Sequence, residues 1–508
     1  MESEAKHQQH YLLAAILAVT AAVYLATLQF GFVSDDVSLI LNNPVIKDWH
    51  AAPYYFTHHM WAHQIPWTAY YRPIYMLLFR LEYASFGTNP VAWHAVNLLL
   101  HLTATALVYR LACQLLKGDY APLMAAVLFG LHPSHVEVVS WIAANGDSLL
   151  TVFVLASMIC YVRARYEIAL SRRWMAWSVM FYALAVFTKE PGIFVPAFLL
   201  AYEFFLHPRD HEIDETKFTR LGKVARPLTP FAIVAVVYLV VRMNVLGAMS
   251  HDALPFPPQV VAQTWPWLLW FYVQHLMWPT ESSMFFNNPY VMERHWLDFW
   301  MPICCLFTIA AFLFWCWQRN RSGMFPFALC CTLLPLAATF NINMFQIHDY
   351  AHDRFLYMPS VFFCLWMAEL LRSVLPLPII LEGALRRWQA AILGTLVLAM
   401  AVQCIKLMPV WVDERTLYLH GVAVSGEHSA LAYSNLGWMH YRNADYENAA
   451  LAWQQSVKQY PNWWEMHKNL GNAYFRMNRI DLALQEFGTA SQIAGKTVSP
   501  DAAEGTPR

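Results

Sequence analysis

Four separated stretches of an otherwise apolar chain concentrate acids, bases and imidazoles. Asp35 and Asp36 stand side by side. His132, His135 and Glu137 share the run His-Pro-Ser-His-Val-Glu, with Asp147 a short way on. Lys189 and Glu190 are adjacent, and His348, Asp349, His352, Asp353 and Arg354 crowd a fourth stretch just before Tyr357. Side chains of these types exchange protons with a reacting hydroxyl and hold anions, the guanidinium fork suiting phosphate best. His-x-x-His-x-Glu could also hold a metal ion. The Pro133 turn leaves its geometry open, so hydrogen bonding is the preferred reading and no metal or other cofactor is expected. Asp147 equally suits the acidic start of a helix.

The elements that carry these residues must be membrane helices. Only 13% of the 508 residues are charged and 58% are hydrophobic, where a soluble chain carries about 25% charged residues. Segments 11–34, 91–109, 299–317, 322–348 and 388–405 contain no Lys, Arg, Asp or Glu. A helix of roughly 20 apolar residues crosses a bilayer. An all-α polytopic bundle is therefore expected, and soluble or fibrous folds are excluded. Eleven spans are expected, near 11–30, 90–116, 120–133, 147–166, 173–189, 191–207, 227–246, 299–317, 324–342, 355–373 and 388–407. Ionisable groups beside such spans are costly and mark functional sites by default. Lys+Arg 33 against Asp+Glu 34 gives no bulk basicity, so nucleic acid is not an expected partner. The nine Cys form no CxxC pair and read as packing residues. The first apolar run is too long for a signal h-region, and Phe30-Gly31-Phe32 is a poor cleavage site, so that helix is expected to be retained.

Orientation follows the basic residues of short loops. Lys117, Arg163, Arg165, Arg172, Arg173, the connector 208–226, Arg319, Arg321, Arg386 and Arg387 fall on the cytoplasmic side if 259–280 does not cross. That segment carries Pro266 and several Trp and reads as interfacial or re-entrant. The four polar stretches, the long loop 31–90 and the C-terminus then share the periplasmic or lumenal face. From about residue 411 the composition becomes that of a soluble helical module. Leu436-Gly437 recurs as Leu470-Gly471 and Ala449 as Ala483, a period of 34 that fits tetratricopeptide repeats near 430–462 and 464–496. Two repeats are fewer than the three usually needed for stability. Either 412–430 caps them or they pack on the membrane part, and a folding cap without ligand is the bland alternative to a peptide-binding groove. The domains are thus 1–410 and 411–508.

Several motifs in order carry a family resemblance. They are F-x-S-D-D-x-x-x-I-x-N-N-P after the first helix, Tyr71-Arg72-Pro73, Trp93 to His101, Leu131 to Trp141 (L-H-P-x-H-x-E-x-V-x-W), Phe187 to Gly192 and Asp353 to Ser360. With the repeats, they resemble the transmembrane and tetratricopeptide-repeat protein O-mannosyltransferases, of the C-type glycosyltransferase superfamily. Ala144-Asn145-Gly146-Asp147 lacks the Arg of the family's Gly-Arg-x-Asp, and the repeat array is short; both point to a bacterial relative.

The resemblance implies transfer of a sugar, mannose or a similar hexose, from a polyprenyl or dolichyl phosphate to a hydroxyl, with Ser/Thr of a protein as the acceptor. Asp35 or Asp36 then becomes the base. Arg354 is the phosphate ligand unless it pairs with Asp353 or Asp349. Lys189 is a second contact with Glu190 as its ion partner, and His132, His135, Glu137, Asp147, Arg72 and Tyr357 complete the donor site. Trp61, Trp67 and Tyr71 suit sugar stacking or interfacial anchoring, while His58, His59 and His63 read as polar surface. A single displacement with one base inverts the anomeric centre. The expected partners are the lipid-linked donor, the bilayer and a protein or peptide acceptor on the repeats, in a bacterial inner membrane or the endoplasmic reticulum. Two alternatives remain: an oligosaccharyltransferase using a lipid diphosphate, and a non-enzymatic repeat scaffold.

Overall fold

The computed structural model describes residues 2–65, 68–118, 120–207, 226–248, 256–346, 348–374 and 384–497. Trp67, the connector 208–225 and the side chains of Arg319, Arg386 and Arg387 lie outside the described residues. Every regular element among the described residues is helical. All eleven expected spans appear as helices, but among the described residues seven helices can cross a membrane by length and hydropathy, or eight with one bent pair counted as a span. The shortfall is one of length and polarity. Val195–Phe205 has 11 residues and Met324–Leu336 has 13, whereas crossing takes roughly 20 at 1.5 Å each. Ser171–Thr188 opens with two arginines. The protein is a multi-pass helical membrane bundle.

Helix faces follow their surroundings. In Thr229–Leu246, Ile233, Val236, Val237 and Val240 are exposed on one side, while Phe231, Tyr238, Arg242 and Leu246 are buried on the other. With lipid as solvent, an apolar side chain gains nothing by facing inward, so the inward stripe can hold polar groups that the bundle satisfies. Pro258–Met277, the segment with Pro266, is a helix of 20 residues that falls outside the seven candidate spans.

Breaks in the helices place the polar residues. Ala121–Gly130 and Pro133–Ser140 meet at a 46° bend, where Pro133 withholds an N–H and starts a new turn. Helix Ser171–Thr188 stops before Lys189-Glu190-Pro191, since a residue preceding proline avoids the helical region. The turn that follows lies directly on that helix: a Cβ on Gly192 would sit 2.7 Å from backbone atoms of Ala185 and Val186.

At the C-terminus, helices Ala430–Arg442 and Tyr446–Gln459 form one pair and Trp464–Arg476 and Ile480–Thr497 another. The period of 34 has a steric basis. A Cβ on Gly437 would strike the Trp453 indole at 2.5 Å, and one on Gly471 would strike Phe487 at 2.7 Å. Both proposed remedies for a two-repeat array are present. Helix Glu414–Ser425 packs beside the first pair, and Trp411, Leu417, Tyr418, Leu431 and Leu436 belong to the same apolar cluster as the bundle.

Candidate active site

The turn after the first helix is fixed by one carboxylate. Asp36 is fully buried; its Oδ2 accepts from the Val33 amide at 2.9 Å and its Oδ1 from the Ala143 amide at 2.7 Å. Burial pushes this carboxyl well above its ordinary range, against the pull of both amides. Trp141 Nε1 donates to Val33 O at 3.3 Å, and Ser34 takes a positive φ of 53°. Such strain persists only where surroundings impose it. The result leaves the Asp35 side chain partly exposed, with no hydrogen bond among the described residues. Burial pushes Asp35 up to about 6; Arg354 and Arg72 pull it down and Asp349 pushes it further up.

Arg354 and Arg72 act on this carboxylate, Lys189 lies within electrostatic reach of both, and each of the three cations is held by an anion. Arg354 donates through Nη1 to Glu137 Oε1 at 2.6 Å, and its backbone N–H donates to Oε2 at 2.9 Å. Lys189 Nζ lies 2.7 and 2.6 Å from the two Asp147 oxygens. Arg72 grips Glu190 with Nε (3.0 Å) and Nη2 (2.7 Å) and packs over the Tyr70 ring at 4.5 Å. Burial would raise the Glu190 carboxyl, but Arg72 and Arg242 hold it below its usual value. One expected pairing is corrected here, and one alternative pairing is not formed. Lys189 pairs with Asp147 and not with its neighbour Glu190, because the extended Lys189 backbone points the two side chains apart. Arg354 pairs with Glu137 and not with Asp353 or Asp349. Asp353 is taken by His275 at 2.5 Å and Asp349 by His352 at 3.2 Å. Asp147 therefore anchors a lysine from the first turn of its helix and does not cap it.

Other expected site residues are buried in the bundle. His132 Nε2–H donates to Leu276 O at 2.9 Å, leaving Nδ1 to accept from Ser134. His135 Nε2 pairs with Ser360 Oγ at 2.8 Å. Tyr357 is fully buried and donates to His101 Nδ1 at 2.8 Å, while His101 Nε2–H donates to Gly130 O. The bend at Pro133 turns His132 and His135 into the core, where the buried Tyr357 and His101 also sit. His132, His135 and Glu137 point at three different partners. Among the described residues no group of three His, Cys, Asp or Glu is placed to hold a metal ion.

Two contributors were missed in the sequence. His275 comes from the segment read as merely interfacial, and Arg242 lies inside an apolar span. Arg242 was legible as an intramembrane charge. Its Nη1 reaches Glu190 Oε1 at 3.4 Å and Tyr238 OH at 3.2 Å, and its Nη2 reaches Ala69 O at 2.7 Å.

A cluster of paired, largely buried charges within an apolar helical bundle defines a multi-pass membrane protein with a charge-rich site. Comparison with known proteins narrows the class. The profile of the family described as dolichyl-phosphate-mannose-protein mannosyltransferase matches residues 55–246, a range that holds Arg72, His132, His135, Glu137, Asp147, Lys189 and Glu190. "Protein O-mannosyl-transferase TMTC3" of Mus musculus is 25% identical over 96% of this chain and 54% of its own length. "Protein O-mannosyl-transferase TMTC2" of the same species is 31% identical over 38% of the chain and 24% of its own. The similarity to the TMTC3 proteins runs along almost the whole chain, which spans about half the length of these curated relatives. Among solved structures, the oligosaccharyltransferase of Archaeoglobus fulgidus in the apo form superposes with a TM-score of 0.41 at 16% identity, covering 86% of this chain and 59% of that one. ArnT from Cupriavidus metallidurans bound to undecaprenyl phosphate gives 0.39 at 15%, covering 97% and 80%.

Proposed function

We propose that the protein is an integral-membrane glycosyltransferase of the C type that moves one hexose, mannose by its homology, from a polyprenyl phosphate to a hydroxyl, with inversion. The carrying observation is the isolation of Asp35. Around it Asp36, Glu137, Asp147, Glu190, Asp349 and Asp353 are each engaged by amides, cations or imidazoles. Asp35 makes no hydrogen bond among the described residues, yet lies within electrostatic reach of Arg354 and Arg72. It is the carboxylate left to accept a proton.

In this reading Asp35 takes the proton of the acceptor hydroxyl as its oxygen attacks the anomeric carbon. The bond from that carbon to the phosphate oxygen breaks on the opposite face. The polyprenyl phosphate leaves with the electron pair, its charge met by Arg72, Lys189 and Arg354. Charge stabilisation in a dry site of this kind is commonly the largest catalytic contribution. Ser/Thr of a protein is the acceptor class the homologues' names support. We take 1–410 as the membrane-spanning transferase domain and 411–508 as the repeat domain that presents the acceptor, with the active site and the repeats on the extracytoplasmic face of a bacterial inner membrane or the endoplasmic reticulum. Incubating purified protein with defined polyprenyl-phosphate sugars and peptide acceptors tests this. A hexose on Ser/Thr supports it, and transfer of a whole oligosaccharide from a lipid diphosphate replaces it.

A further inference from the structure

Arg242 is the charge that the reaction as written above leaves unused. It sits in a helix whose outer face is Ile233, Val236, Val237 and Val240, where an arginine is expensive unless it has work to do. Its guanidinium is immobilised from two sides. Ala69 O takes Nη2 at 2.7 Å and Tyr238 OH sits 3.2 Å from Nη1, with the Tyr238 ring wedged against Phe187 and Tyr71. Of this group of charges Glu190 is the most exposed. The Glu190 side chain is 29% exposed, against 15% for Arg72 and 8% for Arg242. Glu190 touches both arginines, closely at Arg72 (2.7 Å) and loosely at Arg242 (3.4 Å).

The edge of Arg72 that Glu190 occupies, Nε together with Nη2, is the fork a guanidinium offers to phosphate. A carboxylate and a phosphate cannot both hold it. We propose that Glu190 and the donor phosphate compete for the Arg72 fork, and that Arg242 is the positioning residue that takes the Glu190 carboxylate when the phosphate binds. The exchange moves one short side chain between two fixed cations and leaves no buried carboxylate unpaired, a state that would otherwise be strongly unfavourable. The inference rests on the proposed phosphate-linked donor and adds how that donor gains its arginine.

The test is a double-mutant cycle on the full chain, read by binding of a polyprenyl phosphate and, in parallel, by donor KM with polyprenyl-phosphate mannose. Arg242→Ala should weaken polyprenyl-phosphate binding by about tenfold, within the usual range of coupled sites, with kcat changing less than KM. Glu190→Gln removes the competitor, so adding Arg242→Ala to it should alter binding by less than about twofold, the scatter of additive effects. Arg242→Lys, which keeps a cation near Glu190, should recover most of the loss, and thermal melting checks that each variant folds. Unchanged binding in Arg242→Ala overturns the inference. So does an equal loss in both backgrounds, which would mean a merely structural arginine. A coupled binding cycle in a protein that transfers no sugar would keep the exchange and sink the proposed function instead.

Discussion

Two adjacent aspartates divide into different jobs because one turn points them apart. Asp36 is spent on the Val33 and Ala143 amides, and Asp35 is left partly exposed. Asp35→Asn should lower transfer by about 10²–10⁴-fold, the usual cost of losing a general base, with the melting temperature unchanged. Asp36→Asn should act through stability. An amide offers an acceptor to one N–H but sets its own NH2 against the other, at a cost of about 1–3 kcal/mol, and calorimetry or a thermal melt will show it. The pH profile separates the two further. With Asp35 pushed up to about 6, transfer should fall as pH drops below about 6, because the protonated acid cannot accept a proton. Arg354 lowers that value, so Arg354→Ala should move the acidic limb to higher pH as well as weaken donor use; a limb that stays put would detach Arg354 from the base. The sequence carried the identity of these groups but not their pairing. Lys189 beside Glu190 reads as an ion pair, and only the fold shows Asp147 and Arg72 as the true partners.

Elements were legible where hydrophobic runs were long and unclear where helices break. The bend at Pro133 and the turn at Pro191 were visible as prolines, yet which side chains they turn inward depends on neighbours distant in sequence, such as Ser360 for His135. The repeats were legible from their period and proved less separable than a period alone suggests. Trp411 and Leu417 are fully buried in the bundle's own cluster, and the buried Tyr418 lies within electrostatic reach of Asp35. Truncation after residue 410 should therefore cost stability and activity together, since losing one buried Trp alone costs about 3–5 kcal/mol. Ending the chain at Asn462, which removes only the second helix pair, should keep polyprenyl-phosphate binding while reducing transfer to protein acceptors. Full transfer by that shorter chain would give the last pair a structural role.

At the scale of the whole molecule, the reading needs the charged cluster and the repeats on one side of the membrane and the Arg165–Glu203 end on the other. In a background without the exposed Cys113, Cys304 and Cys330, a cysteine at Gln455 should label from the extracytoplasmic side and one at Ser322 should not. The reverse pattern would place the cluster in the wrong compartment. The central claim is that Asp35 drives sugar transfer from a polyprenyl phosphate to a hydroxyl. Mass spectrometry of a Ser/Thr peptide incubated with purified protein and polyprenyl-phosphate mannose measures it most directly. The account predicts one added hexose with the wild-type chain and none with a folded, donor-binding Asp35→Asn chain; equal product from both would contradict it.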